Sequence, residues 1–124
     1  MSQHINQLVW QGWRAIASLA AESPVPALTA ASQELHALLG APGRGGPIVA
    51  FIATRGEKAA SPELVKAMDR LATEAEKLPP TYDQAAFQCL SDYKKAKEEG
   101  MHPFLAGFAL AICLTERVFK IELG

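Results

Sequence analysis

His102-Pro103-Phe104-Leu105-Ala106-Gly107-Phe108-Ala109-Leu110-Ala111-Ile112-Cys113-Leu114 is the stretch on which the fold turns. From Phe104 to Leu114 every position is apolar or glycine, so a helix formed here has no polar face and has to be surrounded by other elements. The run falls short of the roughly 18 to 20 residues that cross a bilayer. It is predicted to be a buried helix, opened by His102-Pro103 and amphipathic only from Thr115-Glu116-Arg117 onward, at the centre of a helical bundle.

The segments on its N-terminal side supply the surrounding helices. Gly100 stops a helix that starts at the capping-box pattern Thr81-Tyr82-Asp83-Gln84 and ends at Glu99. The turn at Gly100-Met101 makes this helix and the last one an antiparallel hairpin, with Cys89 and Cys113 at nearly equal heights. Before Pro79-Pro80, Leu64, Met68, Leu71, Ala75 and Leu78 recur at steps of four and three behind the cap and proline of Ser61-Pro62-Glu63. A first helix over about residues 3–22 carries Ile5, Leu8, Val9, Trp13, Ile16, Leu19 and Ala20 on one face. Ser23-Pro24 reads as the cap and first position of a second helix, which presents Val25, Leu28, Ala31, Leu35 and Leu38 and stops at Gly40.

Gly40-Ala41-Pro42-Gly43-Arg44-Gly45-Gly46-Pro47 has too much glycine and proline for any element interior and is a loop. Periodicity does not decide whether Ile48-Val49-Ala50-Phe51-Ile52-Ala53 is helix or strand. A short helix is favoured, because no other segment offers a partner strand for its backbone groups. The expectation is an all-α, compact helical bundle of about five main helices forming a single domain over residues 1–124.

Composition narrows the function classes. With 49% hydrophobic and 20% charged residues the chain has an ordinary globular profile, and at 124 residues it needs no metal or disulfide to fold. Twelve Lys and Arg against thirteen Asp and Glu give a formal charge of −1, which argues against autonomous binding of nucleic acid but leaves room for one local patch inside a larger complex. Two cysteines, no CxxC and a first segment without Lys or Arg suggest buried free thiols in a reducing, cytoplasmic protein with no membrane association.

No motif carries chemistry. The glycine-rich loop lacks the Gly-Lys-Ser/Thr that opens a phosphate-binding helix, so it reads as a connector, with an anion contact through Arg44 as the alternative. His4, His36 and His102 lie on separate elements, with His102 a helix-start residue. No nucleophile pairs with a base in the sequence, so neither enzyme activity nor a cofactor or metal is expected. Arg44, Arg55 and Lys58, with Lys66 and Arg70 one turn apart, read first as solubilising charges and otherwise as a phosphate-contacting surface. Trp10, off the main stripe of its helix, and Phe87, opposite the expected core face of its own, are the exposed-aromatic candidates for a protein interface.

One pattern resembles a known family. The Leu-rich helix Leu35-His36-Ala37-Leu38-Leu39, followed by Gly45-Gly46-Pro47-Ile48-Val49-Ala50-Phe51-Ile52, is similar to the small all-helical subunit of type III CRISPR effector complexes. The resemblance implies a helical bundle lining guide RNA and target, with a part in antiviral defence. The leading expectation is broader: a non-catalytic helical interaction protein, whether adaptor, inhibitor or accessory subunit, that binds a protein partner, with a homo-oligomer compatible with it.

Overall fold

The computed structural model describes residues 2–39, 62–78 and 82–121, without the side chains of residues 2–6 and 83. Among them are five helices and no strand: α1 (Ser2–Glu22), α2 (Pro26–Leu39), α3 (Pro62–Glu76), α4 (Asp83–Glu98) and α5 (Pro103–Cys113). A π-helical turn, Leu114–Val118, follows α5 directly. The all-α bundle is as expected, and the segment Ile48 to Ala53 lies outside the described residues.

The apolar last helix is central. α5 packs against α1, α3 and α4, while α2 bridges α1 and α3. Phe104, Ala106, Phe108, Leu110 and Ala111 are buried to within 1% of completely. Phe104 and Phe108 pack in a tilted pair one turn apart, with ring centroids 4.7 Å apart. Two glycines set the closest approaches. Gly12 of α1 lies on Phe108, and Gly107 of α5 lies on Met68 of α3.

Local chemistry accounts for where the helices begin and end. Gly100, at φ +97°, follows Glu99, the C-cap residue of α4. Its N–H reaches the Lys97 carbonyl at 3.1 Å and that of Met101 reaches Ala96 at 2.9 Å, the paired closure of a Schellman motif. The His102 imidazole then caps α5, its Nδ1 accepting from the Phe104 N–H at 3.1 Å.

Three boundaries differ from expectation. α2 starts at Pro26, not Pro24, because a residue before proline is pushed out of the α region, which excludes Val25. The Ser23 hydroxyl accepts instead from the Val25 N–H at 3.2 Å, a turn before the helix. The N-cap of α4 is Tyr82, which makes no side-chain cap bond, and Thr81 lies outside the described residues. The continuation expected after Cys113 is a π turn. There buried Thr115 directs its hydroxyl back to the Ala111 carbonyl at 2.7 Å, with the Ala15 carbonyl of α1 at 3.3 Å.

The α1 stripe is also rotated. Val9, Gly12, Ala15, Ile16 and Leu19 are buried, and Leu8 and Trp13 only partly so. Trp10 was expected to stand exposed. It is half-buried and packs against the core from the margin of the helix, although the buried stripe centres on the Gly12 side, away from it.

Candidate interaction surface

Helix α4 turns Ala86, Cys89, Leu90 and Tyr93 toward the core, a three-and-four spacing that defines its inner face. The opposite face carries Gln84, Phe87, Ser91, Lys94, Lys95 and Glu98, all exposed. Phe87 is 70% exposed, the most exposed large apolar side chain among the described residues. The sequence had put it opposite the core, and that is where it stands.

Phe87 borders a groove of about 670 Å³ between the end of α3 and the length of α4. Ala75, Leu78, Ala86 and Leu90 give it an apolar floor. α3 ends at Glu76, before it can cover that side of α4. Lys94 reaches across to Glu76 at 3.2 Å, and Lys95 and Glu98 complete the rim. In the Lys94–Glu76 pair the lysine is about two-thirds and the glutamate about half exposed, so the bridge adds little stability, and it leaves the rim balanced in charge.

Deeper in the same seam the chemistry is more constrained. The Tyr93 hydroxyl, on a side chain only 6% exposed, donates to Asp69 Oδ1 of α3 at 3.0 Å. Lys97 Nζ lies 3.4 Å from both Asp69 Oδ1 and the Tyr93 hydroxyl and 4.9 Å from the Tyr93 ring centroid. Burial, and then the hydrogen bond to Asp69, push the Tyr93 phenol above its ordinary range. For Lys97 burial works downward, but its attraction to Tyr93 and Asp69 outweighs it and the ammonium is raised. These three groups pair with one another and tie α4 to α3.

The basic residues are not one strip as far as they are described. Arg44, Arg55 and Lys58 lie outside the described residues. Lys66 and Arg70 share the exposed face of α3, as their spacing required, but they line a depression together with Glu34 and Glu63. Arg70 is ion-paired with Glu34 of α2. His36 packs half-buried on Trp13, ring centroids 5.2 Å apart. No group of three or more potential metal-binding side chains occurs among the described residues.

The cysteines correct an expectation. Cys89 and Cys113 are joined in a disulfide, not held as free thiols, with Cα atoms 5.7 Å apart. Their equal heights on the hairpin had been readable, and so had the route to contact. Cys89 lies nine residues before Glu98, the last residue of α4, and Cys113 ten after Pro103, the first of α5, an offset of one residue. What the sequence withheld was the rotation of each helix, which here points both sulfurs into the α4–α5 seam. The bond lines a second groove, of about 570 Å³, with Leu8, Gln11, Asp92, Glu116 and Arg117 around it.

No described helix is long and apolar enough to span a membrane. Compared with protein families, with curated proteins and with solved structures, the chain finds no match.

Proposed function

We propose that this is a non-catalytic helical interaction protein, an adaptor, inhibitor or accessory subunit, that binds a protein partner through the outer face of α4. The observation that supports the reading is Phe87. A phenylalanine 70% exposed beside an apolar groove leaves its ring in water, an arrangement with no use in the isolated fold and with the anatomy of a binding anchor. Balanced charges on the rim suit a polar border that excludes water. The test is affinity purification of the tagged chain and its Phe87→Ala variant from the native host at low and high salt. A protein partner retained by the parent chain at high salt and lost from the variant is the expected outcome. Equal recovery by both chains removes the role given to Phe87.

A second reading draws on Lys66 and Arg70, which share one exposed face of α3. With Arg44, Arg55 and Lys58 they would contact nucleic-acid backbone in a small subunit of an RNA-guided, CRISPR-type effector complex. That reading expects nucleic acid and sister subunits in the same purification, released as salt rises. Glu34 and Glu63 in the same depression make it the weaker of the two.

A cytoplasmic location belongs to the same proposal, and the disulfide weighs against it, because reducing compartments keep such pairs as thiols. Alkylation during lysis of the host discriminates: two blocked cysteines place the chain in a reducing compartment, and none places it outside.

A further inference from the structure

We propose that the partner at the α4 surface is a second copy of this chain, docked α4 against α4 about a two-fold axis at Ser91. The inference rests on the reading of Phe87 as an anchor and names its occupant.

Gln84, Phe87, Ser91, Lys94 and Glu98 follow one another at steps of three, four, three and four, the spacing of a seam that meets another helix. All are exposed, with Lys95 beside them, and they lie opposite the residues that α4 gives to the core. At 100° per residue the stripe is centred on Ser91. Ser91 is also the smallest side chain on it, so two helix axes approach most closely there.

An antiparallel pairing about Ser91 brings together positions equally distant from it. Phe87, four residues before, meets Lys95 of the second copy, four residues after. Gln84 meets Glu98, and Gln88 meets Lys94. No lysine faces a lysine and no glutamate faces a glutamate, so the face is complementary to itself. The Phe87 ring lies along the Lys95 stem with the ammonium at its face, a cation–π arrangement. Because anchor and acceptor occupy one patch, the contact closes as an isologous pair and does not propagate. The chain's formal charge of −1 leaves little long-range repulsion between copies.

Sedimentation velocity of the full chain across the micromolar range provides the first reading, with Phe87→Ala and Ser91→Cys as variants. The parent chain is expected at twice its 13.3 kDa mass. Phe87→Ala should weaken self-association by about thirty-fold or more, as an anchor residue does, with its thermal melt still cooperative. Ser91→Cys on the axis should oxidise to a covalent dimer through residue 91, located by peptide mapping against the native Cys89–Cys113 bond, while Gln84→Cys away from the axis should not. A parent chain of single mass throughout, a dimer indifferent to Phe87→Ala, or no cross-link at residue 91 overturns the proposal. If the parent is monomeric and Phe87→Ala still abolishes capture of another protein, only the second copy is refuted and the interaction surface stands.

Discussion

Gly12 and Gly107 both permit a close approach to α5, but their neighbours differ in their capacity to move. A Cβ on Gly12 would strike the Cβ, Cγ and Cδ1 atoms of Phe108, a ring fully buried and packed against that of Phe104. A Cβ on Gly107 would chiefly meet Sδ of Met68, with Cγ at 3.2 Å and Cβ at 3.3 Å, and a thioether can rotate away. Gly12→Ala should therefore destabilise by about 1–3 kcal/mol through overpacking. Gly107→Ala should cost less: both sites lie within helices and gain roughly 1 kcal/mol of helix propensity, but only at Gly107 can the neighbouring atom move aside. Urea melts of the two variants check the order, and Gly107→Ala proving the more damaging would contradict it. The same residues explain a misreading of α1. Glycine contributes almost nothing to a hydropathy stripe, so the expected face included Trp13 and passed over Gly12, whereas the packing contact runs through Gly12 and leaves Trp13 at the edge. Phe87 was legible because it requires no knowledge of the neighbours: α4's own periodicity puts it outside.

Between elements, α3 and α4 are held by apolar packing and by the Tyr93–Asp69–Lys97 cluster. Tyr93 is raised in the folded chain by burial and by its bond to Asp69. A group whose folded pKa exceeds its unfolded one contributes its stability in full below the unfolded value, about 10 for tyrosine, and loses it as pH climbs through the folded value. Lys97 is raised too, so its contribution has the same sign and fades over the same alkaline range. Stability should thus fall above about pH 10. Tyr93→Phe should lose about 0.5–1.5 kcal/mol at neutral pH and show a shallower alkaline decline. Urea midpoints at neutral and alkaline pH for both chains measure this, and parallel declines would exclude Tyr93 as the source. The cluster was invisible in sequence, since Asp69 and Tyr93 lie 24 positions apart on separate helices and only the crossing of α3 with α4 aligns them. Elements whose ends depend on local chemistry read more easily: Gly100 and His102 specified the α4–α5 turn from within a few residues.

Across the whole molecule the Cys89–Cys113 bond acts mainly on the unfolded chain. It joins residues 24 apart, and a cross-link of that span removes unfolded-state entropy equivalent to about 3.5 kcal/mol. Against the roughly 5–15 kcal/mol by which domains are stable, that is a large share for one covalent bond. The bundle was expected to fold without it, because its length and apolar content suffice for a core. Both statements hold if the bond raises stability without being required for the fold. Cys113 is the partner to change, since it is half-buried and its loss leaves Cys89 as a buried thiol, which behaves as a small apolar group. Cys113→Ala should retain its helical circular dichroism and melt lower by on the order of 10 °C. Its urea m-value should rise as the unfolded ensemble expands. The parent chain in excess reductant should approach the same midpoint, which separates loss of the cross-link from any packing defect of the substitution. An unchanged midpoint on reduction would mean the two helices are held in register by apolar packing alone, and complete unfolding would mean that the core of α5 falls short of what its sequence promises.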